Sequence, residues 1–356
     1  MTDLLALTAQ LVDMASVSHQ EDPFVNWLEG ELRAVPWLTV DRVGSNLVGR
    51  TMLGHRLRLV VAGHTDTVPV NGNARARVEG DTLWGLGSAD MKSGLAVMLE
   101  LARTVADPAL DISYVFYAGE EVDAAHNGLG HLFRDRPDLV TGDVALLGEP
   151  TSAAIEAGCQ GTLRVEITLA GARAHTARPW MGSNAIHRLG DLLRLVAEHE
   201  PRQPTIGGCT YREAVQAVAV SGGVAANVVP DSATVTINHR FAPDRSTAEA
   251  SEALRALLAP VLGADDTFEL VDHADGAAPA MDHPVLAALI ERNQLTVKAK
   301  LGWTDVARFA AHGVPAANFG PGDATVAHMA DERVERAQIE SCFAALDDLL
   351  RNGIGG

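Results

Sequence analysis

The sequence predicts an α/β fold, an open and mostly parallel sheet with helices on both faces, carrying an inserted α+β unit. Short apolar runs at 57–62, 112–117, 144–147 and 316–318 alternate with segments of helical periodicity, the pattern of a parallel sheet covered on both sides. Between 161 and 276 the rhythm changes to alternating strands and two helices without crossover connections. A chain of 356 residues also exceeds one ordinary compact core. We therefore expect a discontinuous domain of residues 1–160 and 277–356, and an inserted one of residues 161–276.

In chain order, Leu4, Leu5, Leu7, Leu11, Val12 and Met14 recur at helical spacing and predict a helix over 3–15. A second helix is expected over 23–33, with Asp22 as cap and Pro23 at its first position. Strands follow at 38–42, 46–50 and 57–62, then one extended piece at 78–84 before a glycine-rich turn at 85–94. A helix over 94–106 buries Leu95, Met98, Leu99 and Leu101, and strands at 112–117 and 144–147 complete the first half of the sheet. The insertion reads as strands at 162–169, 217–221, 234–241 and 268–271, with helices at 184–200 and 247–262. A helix at 284–294, the segment 302–311, a strand at 316–318 and a last helix at 335–351 rejoin the first layer.

Composition excludes several classes. Hydrophobic content of 47% with 21% charged residues is that of a soluble globular protein, and no apolar run approaches the roughly 20 residues that span a bilayer. The first residues lack a basic segment followed by an apolar one, so a cytoplasmic location is expected. Cys159, Cys209 and Cys342 are widely spaced and odd in number, which fits a reducing compartment. A net charge of −18 argues against a nucleic-acid partner, because phosphate binding needs clustered cations.

The chemistry gathers at strand ends. His64 and Asp66 follow the run at 57–62, Glu120 and Glu121 the one at 112–117, and Glu149 the one at 144–147. Open α/β sheets collect ligands at such carboxyl ends. Asp90 lies in the glycine-rich turn and His328 in a late loop. Singly, each has a plainer explanation: Glu120-Glu121 as a solvated turn, Asp90 as a helix cap, His328 as a surface residue. Together they form a mixed nitrogen and oxygen donor set suited to zinc, or to manganese or cobalt. A carboxylate among them could bridge two ions.

Four segments then carry a resemblance: Gly63-His-Thr-Asp-Thr-Val68, Gly87-Ser-Ala-Asp-Met-Lys-Ser-Gly94, Ala118-Gly-Glu-Glu121 and Gly148-Glu-Pro-Thr151. In this order they resemble the M20 family of metallohydrolases, and the likeness covers nearly the whole chain. It implies a zinc-exopeptidase-like catalytic domain with an inserted lid and dimerisation domain. Asp90 would bridge two zinc ions, His64 and Glu149 would complete one ion's ligands, and Glu121 and His328 the other's. Asp66 would orient His64, and Glu120 would be the general base. A cis peptide is implied at Asp90-Met91. His175 would cross a dimer interface and donate to the oxyanion in the partner's active site, with Asn227 and Arg240 in the substrate pocket.

Later segments, among them Ala174-His-Thr-Ala-Arg-Pro-Trp180 and Gly302-Trp-Thr-Asp-Val-Ala-Arg-Phe309, are most similar to actinobacterial members that cleave N-succinyl-L,L-2,6-diaminopimelate into succinate and L,L-diaminopimelate. The expected partners are thus a small N-acyl amino acid substrate and a second copy of the chain, with neither nucleic acid nor membrane. Other M20 activities remain open: acetylornithine deacetylase, aminoacylase or glutamate carboxypeptidase. So does a silent metal-binding protein. Against the better-known proteobacterial members, Arg178 replaces a Tyr, Trp303 a Thr, and Cys159-Gln160 a basic pair. Arg178 could supply positive charge for an acidic acyl group.

Overall fold

The computed structural model describes residues 2–355. It divides into two compact units, one of Met1–Gly158, Pro279–Lys298 and Asp305–Gly356, the other of Cys159–Ala278 and Ala299–Thr304.

The larger unit is built on an eight-stranded sheet. Its strands run in the order Thr39–Val43, Asn46–Arg50, Asp111–Tyr117, Arg58–His64, Val144–Leu147, Ala316–Asn318, Ile155–Ala157 and Val297–Ala299. Strand Arg58–His64 pairs in parallel with both Asp111–Tyr117 and Val144–Leu147, and Ala316–Asn318 in parallel with Val144–Leu147. Antiparallel strands flank this centre. Every residue of Asp111–Tyr117 and Val144–Leu147 is buried, as a sheet covered on both faces requires. Leu59 and Val61 join one apolar cluster with the helices Leu4–Val12, Ser93–Thr104 and Arg336–Asn352. Val60 points the other way, toward Gly142.

The smaller unit is an antiparallel sheet in the order Ala214–Gly222, Ser232–Phe241, Gly161–Ala170 and Thr267–Ala274. Leu163, Val165, Ile167 and Leu169 alternate into a second core with Ala233, Val235 and Ile237, closed by the helices Ala185–Glu198 and Thr247–Leu258. Both helices begin on polar caps: Asn184 accepts the amides of Ile186 and His187, and Ser246 and Glu249 cap each other.

Several expectations change. Asp22 is the first helical residue and does not cap; its carboxylate accepts the Ser45 hydroxyl at 2.7 Å instead. The extended piece at 78–84 is a hairpin of Arg77–Glu79 and Thr82–Trp84, turning at Gly80 with φ 60°. Strand Arg58–His64 runs two residues beyond Ala62, so His64 is its last member. A helix at Gly128–Asp135 adds to the expected elements; its glycines lower helical propensity and hide it in the sequence. Among the described residues no helix is long and apolar enough to cross a membrane, and all three cysteines are buried.

Candidate metal centre

Three parallel strands deliver the acidic and imidazole side chains. His64 ends Arg58–His64, Glu120 and Glu121 follow Asp111–Tyr117, and Glu149 follows Val144–Leu147. Asp90 comes from the irregular turn ahead of helix Ser93–Thr104, and its peptide bond to Met91 is cis. That helix takes no side-chain cap, so the capping explanation for Asp90 falls away. Two glycines permit the assembly. A methyl at Gly63 would lie 2.4 Å from Met91 Cε, and one at Gly94 would lie 2.3 Å from the Gly148 carbonyl oxygen. The Asp90 turn can therefore press against the His64 and Glu149 strands at once.

Asp90 presents one oxygen to each histidine. Its Oδ1 is 3.0 Å from His64 Nε2, and its Oδ2 is 3.6 Å from His328 Nε2. His328 Nε2 also meets Glu121 Oε1 at 2.9 Å. Ligand atoms of His64, Asp90 and Glu121 all lie within 4.8 Å of one another. Glu149 is buried, and its charge acts on both His64 and Glu120. On the far side of the His64 ring, Nδ1 is 3.0 Å from the backbone oxygen of Asp66 and 3.6 Å from its carboxylate. The Asp66 carboxylate does more than face the imidazole. It accepts the Ser18 hydroxyl at 2.8 Å and the amides of Glu120 and Glu121 at 3.0 and 3.1 Å, so one buried group holds both glutamates.

The electrostatics are those of a site short of positive charge. Burial pushes Glu120 well above the usual carboxylate range, and the charges of Glu149, Asp305 and Glu121 add to this while His64 opposes it. Burial alone would lower His64, yet Asp66, Asp90 and Glu149 outweigh it and hold the ring well above its ordinary value. The hydrogen bond with Glu121 pushes His328 up to about 9 against its burial. Asp66 stays below the usual range: burial opposes this, but the bonds from His64, Ser18 and Glu120 prevail. Two imidazoles and five carboxylates packed this closely can share protons or hold cations, and the donor set fits a divalent metal.

The remaining candidates lie in the smaller unit. His175 and Asn227 sit on adjoining segments, where the Thr176 amide donates to the Asn227 carbonyl at 3.0 Å. His175 Nδ1 accepts the Ala177 amide at 3.0 Å, which leaves the proton of a neutral ring on Nε2. Arg178 is exposed, and its amide donates to the His175 carbonyl. Arg240 is half-buried on strand Ser232–Phe241, and burial lowers its guanidinium from the usual range. Three residues of the larger unit escaped sequence reasoning. Ser18 reaches Asp66 across 48 positions, and Glu332 accepts the amides of Ala89 and Asp90. Asp305, fully buried, accepts from the Asn127 side chain at 2.9 Å, and its charge acts on Glu120.

An open α/β sheet whose strand ends surround one aspartate with imidazoles and carboxylates defines a metal-dependent hydrolase. Residues 60–352 match peptidase family M20/M25/M40, and the chain belongs to that family. It is 50% identical over 355 residues to a Mycobacterium tuberculosis (strain H37Rv) protein provisionally named succinyl-diaminopimelate desuccinylase, covering 99% of this chain and 98% of the relative. A Corynebacterium glutamicum succinyl-diaminopimelate desuccinylase is 42% identical, with 98% and 96% covered. Among solved structures, a Staphylococcus aureus tripeptidase shares the fold at TM-score 0.78 and 19% identity, with 98% and 97% of the chains covered. A Bacillus subtilis peptidase described as dinuclear metal binding does so at TM-score 0.70 and 14% identity, with 98% and 96% covered.

Proposed function

We propose that the protein hydrolyses the amide bond of N-succinyl-L,L-2,6-diaminopimelate, releasing succinate and L,L-diaminopimelate, with two zinc ions per chain. The observation that carries the reaction class is Asp90, whose two oxygens face His64 and His328 separately while a protonatable glutamate stands alongside. The substrate follows from the names of relatives that match almost end to end.

In this reading His64 and Glu149 would hold one ion, Glu121 and His328 the other, and Asp90 would be shared between them. Bound there, the metals would supply Lewis acidity for the water and the scissile carbonyl. The protein's residues do the rest. Asp66 fixes the His64 ring and, by accepting hydrogen bonds from their backbone amides, the main chain at Glu120 and Glu121. Glu120 takes the proton of the attacking water and returns it to the leaving amine, a task suited to a carboxylate with a raised pKa. His175, protonated on Nε2, donates to the charge growing on the carbonyl oxygen in the partner's site of a cytoplasmic homodimer. Arg240, Asn227 and Arg178 hold the substrate's carboxylates; Arg–carboxylate pairs suit this because two parallel bonds form.

The test is a panel of N-succinyl-diaminopimelate, N-acetylornithine, other N-acetyl amino acids and dipeptides, assayed with zinc-loaded enzyme. The succinyl substrate should give the highest kcat/KM. A clear preference for an acetyl or dipeptide substrate would replace the desuccinylase reading with another activity of the family.

A further inference from the structure

Glu332 is a carboxylate that the mechanism above does not use, and it is 1% exposed. Its Oε1 accepts the amides of Ala89 and Asp90, each at 3.0 Å. Its backbone is tied as well: the amide donates to the Met329 carbonyl at 3.2 Å, and the carbonyl accepts the Gly85 amide at 3.0 Å. The residue therefore stitches two segments together. One is the turn that carries Asp90; the other begins four residues earlier at His328.

Neither segment is held by regular structure. The amides at 89 and 90 open the irregular turn at 88–92, whose Asp90 and Met91 angles are non-helical, and like other first-turn amides they need an acceptor from elsewhere. His328 adopts the left-handed backbone at φ 64°, which a side chain with a Cβ disfavours and which its neighbours must enforce. Asn73 helps by donating to the Met329 carbonyl at 3.0 Å. Lys92 provides a nearby opposite charge; its ammonium is buried and donates to the carbonyls of Leu11 and Met14. Burying a carboxylate is costly, and a neutral acceptor could satisfy two amides. What Glu332 adds is its place on the His328 segment, so the same bonds that fix the Asp90 turn also fix the distance to His328.

We propose that Glu332 is a positioning residue for the metal centre: by clamping the Ala89 and Asp90 amides from the His328 segment, it sets the separation of Asp90 and His328 and with it the affinity for the ion they share. This rests on the reading of Asp90 and His328 as ligands.

The experiment is zinc titration against a competing chromophoric chelator, with thermal melting of the metal-free proteins alongside. Glu332→Gln keeps the acceptor oxygen and should bind zinc nearly as wild type does. Glu332→Ala and Glu332→Asp, which remove or retract it, should weaken one of the two zinc sites by about 10–100-fold, the usual scale for a group that orients a ligand. The other site should change little. A folded Glu332→Ala protein with wild-type affinity at both sites, even with a lowered melting temperature, overturns the proposal. If that variant does not fold, Glu332→Asp decides by the same measure. A loss in Glu332→Gln as large as in Glu332→Ala would also overturn it, since charge and not geometry would then matter. Wild-type protein with no tight zinc site would remove the ligand reading and the clamp together, an outcome distinct from wild-type zinc binding that is insensitive to Glu332.

Discussion

Adjacent glutamates at the end of one strand have unlike surroundings, and that difference separates their tasks. Glu121 meets His328 at 2.9 Å, whereas Glu120 feels the charges of Glu149, Asp305 and His64. Both amides donate to Asp66 from the bend that follows the strand, and only the Glu121 carboxylate meets His328, which leaves Glu120 for another task. Glu120→Gln should therefore keep its metal, measured by elemental analysis, and lose turnover by about 10²–10⁴-fold, the contribution of a general base. An active Gln variant would refute the assignment. At this scale the sequence was most informative where donor types are rare and spacing is local, as at His64, Asp66 and Asp90. It was silent on Ser18 and Glu332, whose partners lie 48 and more than 240 positions away. Ser and Glu are ordinary surface residues, and nothing local distinguishes these two.

Single elements also depend on buried carboxylates outside the active centre. Asp111 opens the central strand Asp111–Tyr117 at 3% exposure. It accepts the amides of Leu53, Gly54 and His55 and the Thr51 hydroxyl, all at 2.9–3.0 Å, and so ties the loop entering strand Arg58–His64 to its neighbour. Burial would raise its pKa, but these bonds and Arg58 hold it below the ordinary 3.8. Because the folded value is the depressed one, the stabilisation is full above pH 3.8 and is lost as pH falls through the lower folded value. Asp111→Asn should cost about 1.5–3 kcal/mol at pH 7 in urea unfolding, the scale of hydrogen bonds to a charged group. The gap between variant and wild type should narrow below pH 3.8; a gap that widened on acidification would contradict this account. Strands of this kind were legible because β-branched and aromatic runs between glycines have few other uses. The hairpin Arg77–Glu79 with Thr82–Trp84 was not: each arm has three residues, too few to show an alternation.

At the scale of the molecule, the larger and the smaller unit each have an apolar core of their own. The smaller unit also leaves apolar surface that its own core does not use. Strand Ala214–Gly222 is an edge of its sheet, exposed from Gln216 onward, with Val218 and Val220 at 57% and 55%. Trp180 and Met181 are exposed at 76% and 70%, close in sequence to His175. A long edge strand with unpaired amides and carbonyls and valine side chains is a template for pairing with another chain, unless charges or proline blunt it. Neither stands between Ala214 and Gly222. This edge is a candidate interface for the homodimer proposed above. Val220→Lys places a charge where such an edge would pair. It should shift sedimentation from dimer to monomer and leave metal content intact. If His175 acts in the partner's site, the same variant should lose about 10²–10³-fold in kcat, the scale of removing one oxyanion donor. A monomer with full kcat would separate dimerisation from catalysis, and a persistent dimer would exclude this edge as the interface.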